Sequence, residues 1–187
     1  GDSVAGNASE PVVGLMVRNL RGGGNLTIKG NSAAQDVATL LNTDGKTTSA
    51  AEAVALTADA VTVNLGMPKG AAGFMEGDLV GTAPTLASLA LRNRAVVKVN
   101  HDAEVLGDTD LADYTRLDVQ EGNTLTTGML SGTDEAEISG SIVVRKGGVF
   151  TGSYDEAFIT AESGSKLYLR TGGRRSLSPV SYTHLRA

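Results

Sequence analysis

Gly140-Ser-Ile-Val-Val-Arg-Lys-Gly-Gly-Val-Phe-Thr-Gly152 sets apolar side chains two residues apart at Ile142 and Val144, breaks on Gly147 and resumes with Phe150. A period of two is the strand period, in which alternate residues share a face. Glycine at the break suits a corner, where the backbone often needs a positive φ. The same spelling recurs at Ile159, Ala161, Gly164 and Leu167, at Leu117, Val119, Gly122 and Leu125, and at Val97, Val99, Asp102 and Val105. Each set has apolar positions at 0, +2 and +8 around a turn residue at +5, and successive sets start 20, 25 and 17 residues apart. A strand–turn–strand unit of this size cannot bury its apolar face alone, so it must stack on its neighbours. Unequal spacing disfavours fixed hairpins. It suits coils that carry loops of variable length at one corner, for which the acidic stretches Asp108–Asp113 and Ser131–Glu137 are the candidates. The fold class read here is all-β, a parallel β-helix (β-solenoid) with regular coils over residues 96–173. An antiparallel sandwich shares the alternation and is the competing architecture.

Toward the N-terminus, residues 1–95 read as less regular coils with short helices. Leu26-Thr-Ile28-Lys and Val61-Thr-Val63-Asn-Leu65 alternate as strands. Ser32–Leu41 and Ser49–Leu56, rich in Ala and Leu, each read as a helical turn or two, with Asn42-Thr43-Asp44-Gly45 as the turn between them. Residues 67–85 read as a long Gly/Pro loop, and Leu86–Leu91 fits helix and strand alike.

Composition agrees with stacked strands. Aromatic residues make up only 4% of the 187, with no Trp, while glycine occurs 24 times. Such a core is built from small aliphatics. The formal charge is −5, and no basic stripe interleaves with aromatics, so nucleic acid is not an expected partner. No run has the length of a membrane span, so no membrane insertion is expected of this segment. Zero cysteines exclude disulfides and thiolate metal sites. The chain opens at Gly1 without an initiator Met or a signal peptide. Val180-Ser-Tyr-Thr-His-Leu-Arg-Ala187 resembles the translated frame of a sequencing-library adapter. Residues 174–187 are therefore expected to be a non-native or disordered tail of an incomplete reading frame, which leaves His101 as the histidine to be weighed.

Residues 140–152 and Ile159-Thr-Ala-Glu-Ser-Gly-Ser-Lys-Leu-Tyr-Leu169 resemble coils of the pectin-lyase-like β-helix, as in autotransporter passengers and other bacterial surface adhesins. The likeness covers residues 96–173, with an echo at Leu26–Ala34. It implies a structural or adhesive segment at the bacterial cell surface or outside the cell. The partners it implies are host or cell-surface glycans or proteins, met through loops, and a second copy through open solenoid ends. The same stretch is also similar to the coils of bactofilins, whose repeats are more regular and whose domain is smaller. A phage tail-fibre segment and a carbohydrate-active enzyme share the solenoid and stand as alternatives.

The enzyme alternative has one motif. Asn42-Thr43-Asp44-Gly45 matches a catalytic tetrapeptide of the polygalacturonases, but the paired aspartates, Gly-His-Gly and Arg-Ile-Lys of that family do not follow it. Asp59 stands single, and Asn100 precedes His101. Glycoside hydrolysis needs two carboxylates across the sugar, so the tetrapeptide reads as turn chemistry. Asp108, Asp110 and Asp113 lack the glycine and distal Glu of a calcium loop, and with Asp134, Glu135 and Glu137 they read as solvated corners. His101 beside Asp102 reads as a surface turn pair, and Arg174-Arg175 borders the suspected adapter. No catalytic, cofactor-binding or metal residue is singled out, and no cofactor is expected.

Overall fold

A computed structural model describes residues 15–30, 37–42, 50–68, 82–169 and 181–182. These form fourteen strands: β1 Leu15–Arg18, β2 Asn25–Lys29, β3 Val37–Leu41, β4 Val54–Asp59, β5 Thr62–Leu65, β6 Thr85–Arg92, β7 Val96–Val99, β8 Ala103–Leu111, β9 Arg116–Val119, β10 Thr124–Gly132, β11 Glu137–Phe150, β12 Ser153–Ala161, β13 Leu167–Leu169 and β14 Ser181–Tyr182. Every strand pairing among them is parallel. Odd strands stack on odd strands from β1 to β11, and even strands on even strands from β2 to β10 and then β11. This is the parallel β-solenoid that the sequence implied, of about six turns.

Each regular coil is a short strand, a corner, and a long strand divided by a register shift, as between Thr127 and Met129. The coil thus has three flat runs. Inward side chains form rows along the stack. Ala38, Val63, Val97, Leu117, Ile138 and Tyr154 make one row on the short strands. Val54, Leu86, Val105, Thr127, Val144 and Ala161 make a second. Ala58, Leu91, Leu111, Gly132, Phe150 and Leu169 make a third. All but Val54, Gly132 and Thr127 belong to one buried apolar cluster, and Val54 is itself buried. Burying each Val, Leu or Ile fully is worth about 1.5–3 kcal/mol, which holds short strands that would not persist alone.

Two glycines set the shape of the upper coils. Phe150 is the largest fully buried side chain, and a Cβ on Gly132 would lie 2.6 Å from its ring. The ring occupies the space that the missing side chain leaves. Gly140 has φ +89°, and a Cβ there would lie 2.1 Å from the Val119 carbonyl oxygen. There β11 leaves the odd ladder, where Ile138 pairs with Leu117, and joins the even ladder, where Ile142 pairs with Leu125.

The structure corrects four expectations. No helix occurs among the described residues. Within Ser32–Leu41 the described part, Val37–Leu41, is β3, and within Ser49–Leu56 a turn leads into β4. The Ala and Leu there alternate inward and outward, with Val54, Leu56 and Ala58 buried in β4. Stacking therefore overrides helix propensity. Leu86–Leu91 is strand β6.

The acidic stretches are not variable loops. Asp108 and Asp110 lie on the outward side of β8, and the corners are tight turns closed by Thr115 N–H to Ala112 O and Ala136 N–H to Thr133 O. Finally, the four-set register mixes two phases. Val97 does pair with Leu117, and Ile142 with Ile159. Ile138, however, is what stacks on Leu117, so the spacing of 25 combines one coil with a step onto the next run.

Candidate functional site

Where the short run meets the long one, the chain turns through Asn100, His101 and Asp102 before entering β8. In the next coil Thr124 and Thr126 of β10 take the outward positions, Thr126 pairing with Glu104. Thr82, Ala83 and Thr85 approach from the other side, as the chain enters β6. Together with Ala103, and without Asn100, these residues line a cleft of about 400 Å³ on the flank of the shaft. That size falls within the range of small-ligand sites.

The lining is polar and partly committed. Asp102 Oδ1 accepts the Thr124 N–H at 2.9 Å, linking two coils, and its backbone carbonyl lies 3.1 Å from His101 Nδ1. His101 sits over Gly66, where a Cβ would lie 2.9 Å from the His101 Cβ. Glu104 Oε1 accepts from Arg145 Nη1 at 2.6 Å, and Arg145 Nε also faces Glu162 at 3.6 Å. These pairs are more than one-third exposed on the arginine side, so each contributes at most about 1 kcal/mol. Their effect is to fix the Glu104 carboxylate in place and offset its charge.

Of the described residues weighed from the sequence, His101 and Asp102 reach this cleft and the others do not. Asn42 is buried and makes the antiparallel bridge to Thr82, while Thr43–Gly45 lie outside the described residues. Asp59 ends β4, in register with Arg92. Asp110 pairs with Arg92 at 2.7 Å and accepts the Ser131 hydroxyl at 3.0 Å. Asp108 and Asp113 are exposed on the strand and the turn. Glu137 pairs with Arg116 at 3.3 Å, and Asp134 and Glu135 occupy an exposed turn. Among the described residues, no three His, Asp or Glu side chains converge as a metal site. Arg174-Arg175 lie outside the described residues.

Sequence reading missed Glu104, Thr124, Thr126 and Arg145. It tracked inward positions only, whereas the cleft is built from the outward residues between them. Their signal was the 22-residue offset from Asp102 to Thr124, one coil, which the hydrogen bond between the two now exhibits. No family model, curated protein or solved structure matches this chain. The functional reading therefore rests on the solenoid and this cleft.

Proposed function

We propose that the chain is a structural, adhesive segment of a bacterial surface or secreted β-helix protein, working as a stiff shaft that presents a lateral binding face. The observation that carries this reading is the pair of parallel ladders, continuous along the stack, with aliphatic rows inside and cross-coil polar links outside. Each coil adds about 4.8 Å of length at the spacing of hydrogen-bonded strands. Arg92–Asp110, Arg116–Glu137 and Arg145–Glu162 fasten successive coils on the outside, and Glu104–Arg145 reaches across an intervening one. Such a body gives reach and resists proteolysis, because its backbone groups are taken up between coils. Partners, whether glycans or proteins, meet it on the flank.

The test is display of residues 1–187 on a non-adherent bacterium. Adherence to host cells or glycan-coated surfaces above the undecorated strain supports the reading, and parity with that strain overturns it.

A second reading, a carbohydrate-active enzyme, draws on Asp102 and Glu104 lining one cleft. The contacts speak against it, since the Glu104 carboxylate is already taken up by its ion pair with Arg145. Release of reducing ends from polygalacturonate, lost in Asp102→Asn, would establish it.

A further inference from the structure

We infer that the cleft and the outward face above it bind a short amine-bearing oligosaccharide along the shaft axis, a reading that deepens the adhesive one by naming its ligand and its site. Four threonines, His101, Asp102 and Glu104 supply polar groups, while two alanines and the carbon atoms of the other side chains make about half of the lining apolar. That mixed surface suits a sugar, which presents hydroxyls and C–H faces together.

Charge narrows the class. Glu104 is offset by Arg145. Asp102 gives one carboxylate oxygen to the Thr124 N–H, and its other oxygen has no partner among the described residues. The cleft thus holds one uncommitted negative charge, which attracts an ammonium group and repels a uronate.

Register extends the site. Thr124 pairs with Ser141, and Ser141 pairs with Phe158, so three outward positions climb in one row from the cleft. Phe158 stands about 10 Å above Thr124 at two strand spacings. It is 50% exposed, although the core is where an aromatic side chain would gain most. An aromatic face at that height packs the C–H face of a second or third sugar ring, or an ammonium group. Thr126, Val143 and Thr160 form the neighbouring row, which supplies a shallow, partly polar track between the two ends.

The experiment is calorimetric titration of residues 1–187 with a short glucosamine oligomer, a glucose oligomer of equal length and a galacturonate oligomer. The glucosamine oligomer is expected to bind, with affinity falling about fivefold in each of Asp102→Asn and Phe158→Ala, the size of one exposed contact. Both substitutions lie on the surface, and asparagine keeps the acceptor for Thr124, so melting temperatures stay at the parent value. The glucose oligomer binds more weakly and the galacturonate oligomer does not bind. Absence of glucosamine binding, unchanged affinity in either variant, or equal or better binding of the other two oligomers overturns the inference. If displaying cells adhere while the oligomer fails to bind, the site falls and the adhesive reading stands. If the oligomer binds but displaying cells do not adhere, the site stands and the adhesive reading falls.

Discussion

Among single residues, the buried threonines are the least expected feature of an aliphatic core. Thr109 and Thr127 are fully buried, and their hydroxyls lie 2.7 Å apart. Thr127 donates to the Met129 carbonyl at 2.8 Å, so in the pair Thr109 must be the donor and Thr127 the acceptor. The two substitutions are therefore unequal. Thr127→Val strands the Thr109 hydroxyl in a dry interior and removes the Met129 donor, at a cost of about 1–3 kcal/mol. Thr109→Val leaves Thr127 still donating, and the cost falls below about 1 kcal/mol. Urea unfolding of both variants and of the double variant checks the assignment. The double variant is expected to cost less than the sum of the two, because valine in place of Thr109 no longer leaves a stranded donor.

At the scale of the strand, β11 carries the fold, because its start belongs to the odd ladder and its remainder to the even one. Gly140 makes that step, and Gly122 offers a control with nearly the same backbone. Gly122 has φ +85°, but no atom lies within 4 Å of where its Cβ would be. Gly122→Ala should thus cost only the left-handed penalty of about 1–2 kcal/mol. Gly140→Ala adds a collision with the Val119 carbonyl and should exceed it by at least about 1–3 kcal/mol. Thermal melts of the two variants decide whether the crossing or the dihedral matters.

Strand β11 also explains how far the sequence could be read. The rows Val97–Leu117 and Ile142–Ile159 were visible because period-two apolar residues followed by Gly or Asp survive in single coils. The step at Gly140 was not, since it is encoded by contact with Val119 one coil below. A further signal lay in the turns Leu91-Arg-Asn-Arg-Ala95, Leu111-Ala-Asp-Tyr-Thr115 and Gly132-Thr-Asp-Glu-Ala136, which end on buried small residues. The helical turns expected in Ser32–Leu41 and Ser49–Leu56 failed, within their described parts, for a related reason. Local propensity favours helix for Ala and Leu, and only the stacked neighbours make strands of them. The cleft escaped because outward residues obey no hydrophobic pattern.

For the molecule as a whole, a stack with nearest-neighbour contacts should tolerate loss of a coil, provided that the rows on either side of the cut still fit. Ser131 stands 21 residues after Asp110, one coil apart in the ladder. Two deletions of that length differ in one retained residue. Removing 111–131 joins Asp110 to Gly132, so Gly132 stays beneath Phe150. Removing 112–132 joins Leu111 to Thr133 and brings Leu111 to that position instead. Both lose β9, all of β10 save Gly132 in the first, the Thr127 partner of Thr109 and the corner bond from Thr124 to Asp102, so those costs cancel in the comparison. What differs is a leucine side chain directed at the space that the Phe150 ring fills. Overpacking of this kind costs about 1–3 kcal/mol, or about 2–4 °C in melting temperature per kcal/mol for a chain of this size. The 111–131 deletion is expected to keep the β-sheet circular dichroism of the parent and to melt cooperatively. The 112–132 deletion melts lower, and Phe150→Leu within it recovers part of the loss. Equal melting of the two deletions would mean that the Phe150 row does not set the coil register. Unfolding of both would mean that the coils are not interchangeable units, and the shaft would then be one cooperative body rather than a stack.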